Sequence, residues 1–359
     1  MSRKPQSLTG ARISAGLAFF AIAAVVGTIF PVSVTAQQEA ETATAPAATS
    51  ESSPEALPES AATKLKPSSL VSAEVFDQMT QTLDGVESLS CDLVQNVTLS
   101  GQRFQAAGRY LHASGNRMRL EYRIFPVKAA TASDAARQAL DSEPEDTSKL
   151  KPTGSLEQVS DGSVLWSRWA NGPQKQVTRR NIREIVESVN GLPNYSEVRS
   201  LQDLGVGGLQ TLMSQLQLGM EFGPVQETQV GSDTYLVLAG RWNEKTRTEV
   251  FKLPADPNAQ LPDYIPDYVR IYVDSKAHLP RRIQYLKKHF DPGQKSVRPI
   301  VTLDFRNIRL NEELPDDAFN FTGSEKDGPE IDLTSQVIDL IKKQSGNDAA
   351  PEPADPPKE

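Results

Sequence analysis

Apolar and polar residues alternate with a period of two along much of this chain. In the stretch that starts at Arg117, the residues Met118, Leu120, Tyr122 and Ile124 all fall on one side. Arg117, Arg119, Glu121 and Arg123 alternate with them on the other side. This alternation is typical of an antiparallel strand with one face in a core and the other in water.

The same alternation predicts further strands along the chain. Turn pairs such as Asp161-Gly162 and Asn171-Gly172 separate neighbouring stretches, and such pairs favour tight turns. The predicted strands cover 89–99, 104–112, 156–160, 164–169, 234–242, 246–253, 268–274, 281–288 and 300–309. In 89–99, Gln95 is the one polar residue on the apolar side. Because strands and helices do not alternate regularly, the order predicts a meander of hairpins rather than a parallel sheet.

Apolar residues at helical spacing predict four amphipathic helices. The first begins near Ser72 as the capping residue and ends at Gly85, with a stripe that includes Phe76 and Met79. The apolar stripes of the other three are Ile182/Ile185/Val186/Val189, Leu209/Leu212/Met213/Leu216/Met220 and Ile331/Val337/Ile338/Ile341. Such stripes usually cover a sheet. Since methionine adapts to irregular apolar surfaces, the Met-bearing helix is the best candidate for a movable lid.

The start of the chain has the pattern of an export signal. Arg3, Lys4 and Arg12 precede an apolar run over 13–30, and small residues at 34–36 form a cleavage site. The sequence therefore predicts a signal peptide over 1–36 and a periplasmic or secreted protein. An uncleaved inner-membrane anchor is the alternative, because the apolar run approaches the ~20 residues that span a bilayer.

Composition divides the rest of the chain. The 37–66 stretch is rich in Ala, Glu, Ser, Thr and Pro, so it predicts a disordered acidic linker, and 345–359 predicts a disordered tail. The remaining 67–344 contains enough large apolar residues for one globular domain. Within that domain, 128–153 interrupts the strand pattern and predicts an inserted loop.

Charge and candidate chemistry argue against several classes of function. The formal charge is −8, and loss of the three signal cations would leave −11, which disfavours nucleic acid as a partner. Cys91 is the sole cysteine, and the histidines His112, His278 and His289 are scattered without metal-ligand spacing. The sequence therefore predicts no metal site, no cofactor, no catalytic residues and no enzyme.

Several short motifs, in order, resemble the LolA family of periplasmic lipoprotein carriers. They are the segments Ser88-Leu89-Ser90-Cys91-Asp92-Leu93, Gly108-Arg109-Tyr110-Leu111, Arg117-Met118-Arg119-Leu120-Glu121-Tyr122, Val159-Ser160-Asp161-Gly162-Ser163-Val164-Leu165-Trp166 and Leu314-Pro315-Asp316-Asp317-Ala318-Phe319-Asn320-Phe321. One departure is that the family's Arg-Pro pair, in the turn between two early strands, is replaced by about Ser114-Gly115.

The resemblance implies an α+β fold, in which a curved antiparallel sheet forms an incomplete β-barrel and helices cover its concave face. It also implies a carrier that holds acyl chains between sheet and helices, with an acylated protein or lipid as partner and a membrane or envelope protein as a possible second one. The chain is expected to act as a monomer. The alternative function is a membrane-tethered envelope sensor or protein-interaction domain without lipid transfer.

Large residues on the predicted inward faces are the candidate ligand-binding surface. They are Leu93, Tyr110, Met118, Leu120, Tyr122, Trp166, Met213, Leu216 and Trp242. Burial of apolar area gains roughly 25 cal/mol per Å², so such a surface would bind hydrocarbon without directional contacts. The competing interpretation is that these residues fill a closed core.

Overall fold

The structure is a computed structural model that describes residues 65–99, 102–126, 150–192, 208–254, 256, 259, 261–291 and 294–347. The predicted signal peptide, nearly all of the 37–66 linker, the tail from 348 and most of the 128–153 insertion lie outside the described residues.

The strands form one sheet. In chain order they are β1 (Lys66–Pro67), β2 (Ser88–Leu99), β3 (Gln102–Ala113), β4 (Arg117–Pro126), β5 (Gly154–Asp161), β6 (Val164–Asn171), β7 (Gln174–Asn181), β8 (Met220–Phe222), β9 (Gln226–Val230), β10 (Asp233–Trp242), β11 (Tyr268–Asp274), β12 (Pro280–Asp291), β13 (Gln294–Leu310) and β14 (Glu330–Asp332). Their spatial order is β1-β9-β10-β11-β12-β13-β2-β3-β4-β5-β6-β7-β14, with β8 beside β10.

Neighbouring strands are antiparallel, except that β14 runs parallel to β7. Within the described part of the chain, the sheet's two end strands, β1 and β14, do not pair with each other. The sheet is therefore open, and the predicted α+β fold with an incomplete antiparallel barrel is confirmed.

Helices lie against one face of this sheet, which we call the inner face. They are α1 (Ser72–Asp84), α2 (Ile182–Val189), α3 (Gly208–Gly219) and α4 (Thr334–Asn347). Helix α1 packs against α3, and α2 packs against α4. Their buried apolar residues join those of the strands in one continuous core cluster, because each stripe turns its apolar side to the sheet.

Local hydrogen bonds explain where two of the helices begin. At α1, the Glu74 carboxylate accepts from the Val71 N–H at 3.2 Å, so Ser72 is the first helical residue rather than the predicted cap. At α2, the Asn181 side chain accepts from the Glu184 N–H at 3.1 Å. Gly85 ends α1 with a φ of −82°. A glycine at a helix end usually adopts the left-handed conformation, but Gly85 does not.

The segment predicted as a strand over 246–253 is a short π-helix, Thr246–Val250. The prediction was wrong because side chains satisfy the backbone locally there. Asn243 accepts from the Thr246 N–H at 2.8 Å, and the Thr248 hydroxyl donates to the Glu244 carbonyl at 2.9 Å. Such bonds compete with strand pairing.

Ile331 is a second correction at the level of elements. It lies in β14 and is 40% exposed, so it does not belong to the apolar stripe of α4. The Thr334 hydroxyl accepts from the Asn181 N–H at 2.9 Å, which places the start of α4 beside the start of α2. Helix α4 therefore begins three residues after the predicted stripe.

After β13 the chain crosses the outer face of the sheet as a strap, residues 314–332. Ala318 and Phe319 of this strap pack against Leu111 and Ala113 in a small separate core. The strap ends in β14 at the sheet edge. Helices thus cover the inner face, and the strap, which includes the short 3-10 helix Glu325–Asp327, covers part of the outer face.

Candidate ligand-binding face

The inner face brings together eight of the nine residues predicted to bind a ligand. These eight belong to the continuous core cluster, and their exposure lies between 1% and 7%. They are Leu93, Tyr110, Met118, Leu120, Tyr122, Met213, Leu216 and Trp242. The face is therefore closed over these side chains in this conformation.

Strand register sets their arrangement on the sheet. Tyr110 of β3 lies between Cys91 of β2 and Leu120 of β4. In the next row, Leu93 and Tyr122 stand on either side of Gly108. Antiparallel neighbours directly opposite each other are close enough for their side chains to touch, so these residues form one surface.

Gly108 has no room for a side chain. A Cβ built on it would lie 1.6 Å from the Glu121 carbonyl oxygen, because the β4 backbone approaches β3 closely at this point. Only glycine fits such an approach. Gly108 therefore permits the close approach of β3 and β4 beneath the surface formed by Leu93 and Tyr122.

Met213 and Leu216 reach the cluster from α3, and Trp242 reaches it from the end of β10. The indole N–H of Trp242 donates to the Pro266 carbonyl at 2.7 Å. Its ring contacts the edge of Phe251, with ring centroids 5.1 Å apart. Trp242 is thereby fixed at one end of the face, whereas α3 lies across its middle.

Trp166 lies outside this group. It stacks on Phe321 of the strap, with ring centroids 5.8 Å apart, and so belongs to the outer face. Its strand neighbour Leu165 is the residue that enters the core cluster. Successive side chains of a strand point to opposite faces. The prediction that Trp166 lies on the inner face was therefore wrong, and the adjacent Leu165 lies there instead.

The packing between α1 and α3 on the inner face leaves a small gap, which we call the seam. A cavity of about 10 Å³ remains there, lined by residues that include Leu83, Leu89 and Leu209. That volume is close to the least that holds one water molecule. Across the seam, the Gln210 side chain donates to the Asp84 carboxylate.

Gly208 begins α3 directly above Tyr110 and His112. Its φ of +62° is in the left-handed region, and a Cβ there would lie 2.4 Å from the Tyr110 Oη and 2.9 Å from the His112 Cδ2. The Tyr110 and His112 rings stack with centroids 6.5 Å apart. The helix start, the two rings and the small cavity form a single contact, which we call the seam contact.

Burial dominates the electrostatics of the seam contact. It raises the pKa of the Tyr110 hydroxyl well above its ordinary value, and the nearby Leu209 N–H offsets part of that shift. The hydroxyl still makes no hydrogen bond of normal geometry within the described residues. Burial, and secondly the Arg117 charge, lower the pKa of His112. Both side chains are therefore neutral at pH 7.

Cys91 lies in the core beneath this surface, as predicted. It is 3% exposed, and burial raises its thiol pKa to about 12, helped by the Asp92 charge and opposed by that of Arg281. Because the thiolate is the reactive form, Cys91 is an inert core residue.

Neither a metal centre nor a membrane-spanning helix is found in the described ranges. No group of three or more His, Cys, Asp or Glu side chains there has the arrangement to hold a metal ion. No described helix has the length and apolar character to cross a membrane.

Sequence reasoning missed the seam contact itself. It treated His112 as one of three scattered histidines, and residues 205–207, directly before α3, lie outside the described residues. The φ of Gly208 and its contact with β3 depend on tertiary packing. A glycine directly before an amphipathic stripe was the one available signal.

Comparisons with known proteins match this fold to solved structures. LprF from Mycobacterium bovis has a TM-score of 0.32 at 10% identity, covering 68% of this chain and 98% of that one. The lipoprotein LppX from Mycobacterium tuberculosis has a TM-score of 0.30 at 12% identity, with 68% and 98% covered. A LolA superfamily protein from Nitrosomonas europaea has a TM-score of 0.23 at 11% identity, with 70% and 99% covered.

No protein-family model and no curated protein matches the sequence.

Proposed function

We propose that this protein is an exported carrier that takes up the acyl chain of a lipid or acylated protein between α3 and the sheet. The observation that carries the proposal is the seam contact. There, one helix closes a broad apolar face through a glycine, the buried ring of Tyr110, the half-buried ring of His112 and a small residual cavity.

The closed conformation requires that a guest displace α3 rather than enter an open pocket. Helix α3 contributes three buried apolar side chains, those of Leu209, Met213 and Leu216. Withdrawing each of these side chains from the core costs about 2 kcal/mol. Each methylene of the guest that is buried in their place gains about 0.8 kcal/mol. Roughly eight methylenes are therefore needed before binding becomes favourable, which favours long acyl chains as guests.

The charge pattern supports export as the setting of this function. A protein that loses 1–36 would begin at Gln37 and carry the acidic linker ahead of β1. We place it in the periplasm or outside the cell, as a monomer that receives its cargo from an envelope partner. Amino-terminal sequencing of the exported protein should then begin at Gln37.

Photoaffinity labelling of the purified exported protein tests the proposal. A diazirine fatty acid of about sixteen carbons is expected to label peptides from α3 and from the inner face of β2–β4, while one of about six carbons is not. An excess of unlabelled long-chain fatty acid should compete. Labelling confined to the strap, or equal labelling by both chain lengths, would refute acyl binding at this face.

A further inference from the structure

The outer face has a cavity of its own, on the side of the sheet away from the helices. It has a volume of about 260 Å³ and lies between strands β3 and β4 and the strap. Leu111, Pro315 and Ala318 supply its apolar wall, and four charged side chains complete it. Drug-sized ligands occupy pockets of about 300–1,000 Å³, so this space suits a small molecule or a single head group.

Two of the four charges are already paired. Arg119 contacts Glu121 and Glu157, each at 2.6 Å. It also donates to the carbonyls of Ala318 and Asn320 at 3.3 Å. Arg119 therefore ties the strap to the sheet and leaves Glu121 occupied, so neither is available as a primary ligand group.

The other two charges belong to the exposed residues Arg109 and Asp317, and neither has a partner among the described residues. Among the residues that the structure describes, neither the Arg109 guanidinium nor the Asp317 carboxylate takes part in an ion pair or a side-chain hydrogen bond. The neighbouring arginines differ, since Arg117 lies 5.4 Å from the centre of the Phe319 ring and Arg168 bonds to Asp327 at 2.9 Å. One cation and one anion thus line the same cavity without pairing to each other.

We propose that this cavity binds a small zwitterion that carries a phosphate and an ammonium group, as in phosphoethanolamine. The planar guanidinium of Arg109 matches the geometry of a phosphate, and Asp317 accepts from the ammonium. Leu111 and Pro315 contact the short carbon link between the two groups. The site is independent of acyl binding on the inner face.

Titration calorimetry with phosphoethanolamine tests the site on the exported protein. Saturable millimolar binding is expected, and Arg109→Gln and Asp317→Asn should each weaken it by at least about tenfold, the loss of one charge-assisted bond. Arg123→Gln is the matched control, since Arg123 is an exposed arginine of β4 that does not line the cavity. Circular dichroism confirms that the variants fold.

Inorganic phosphate and ethanolamine, each used alone, separate the alternatives. Both should bind much more weakly than phosphoethanolamine, so equal binding by phosphate overturns the zwitterion proposal. So would absence of saturable binding, or binding unchanged in both cavity variants. Binding to phosphatidylethanolamine nanodiscs is compared with binding to free phosphoethanolamine. The comparison shows whether the site binds this group on a membrane or in solution.

Discussion

Gly208 lies where α3 closes against Tyr110 and His112 on the inner face. Replacement by alanine adds a Cβ that meets Tyr110 and must adopt a φ of +62°. Gly208→Ala is expected to lower the free energy of unfolding by about 1 kcal/mol from backbone strain alone, and to speed acyl uptake by loosening α3. Chemical denaturation and stopped-flow uptake of a fluorescent fatty acid measure the two effects.

Gly172→Ala is the matched control for that variant. Gly172 also has a positive φ, +56°, but nothing lies within 4 Å of a Cβ there. It should show the same backbone cost without the change in uptake. Equal uptake rates in both variants would contradict a role for the seam contact.

His112 gives the seam contact a dependence on pH. Because burial lowers its pKa in the folded protein, the unfolded chain binds the proton more readily. Its contribution to stability is complete above the ordinary pKa of 6.5 and is lost as the pH falls below that value. Wild-type protein should therefore lose more stability than His112→Gln between pH 8 and pH 5, measured by urea unfolding.

Carboxylates titrate in the same range, so the difference between the two proteins is the informative quantity. Arg117, which disfavours the protonated form, and Asp84, which binds Gln210 of α3, face this region from β4 and α1. Parallel curves for wild type and variant would show that His112 does not sense pH.

At the scale of elements, the strap and the inner face should be separable by mutation. Trp166→Ala removes the stacking with Phe321 and is expected to cost about 2 kcal/mol of stability. It should leave acyl uptake unchanged, because Trp166 lies on the outer face. If the variant takes up acyl chains poorly at temperatures where it is folded, Trp166 does contribute to the binding surface and this prediction is wrong.

The sequence predicted most elements, and the failures have identifiable causes. Strands with clean alternation, such as β4, were predicted nearly to the residue. Strands β7 and β9 were missed because their sequences are mostly polar and show little alternation. The π-helix at Thr246–Val250 was read as a strand, since its side-chain-to-backbone bonds are not visible in the spacing of apolar residues.

For the molecule as a whole, the residue pattern predicted an antiparallel meander with amphipathic helices, and the family resemblance implied an open sheet with helices on one face. Neither predicted how tightly the helices close. Alternation along the strands and the apolar stripe of α3 placed eight candidate residues among the side chains that the structure buries between the sheet and the helices. Whether they enclose space depends on side-chain packing, and the structure leaves only about 10 Å³ at the seam. In this account the protein can therefore take up an acyl chain only when α3 moves away from the sheet.

Crosslinking α1 to α3 tests that claim most directly. Asp84 and Gln210, which bond across the seam, are replaced by cysteines in a Cys91→Ala background and joined with a short reducible reagent. Acyl uptake is predicted to fall at least about tenfold in the crosslinked protein and to recover on reduction. The two single-cysteine variants, treated with the same reagent, should bind normally. Undiminished uptake with α1 and α3 joined would contradict the account.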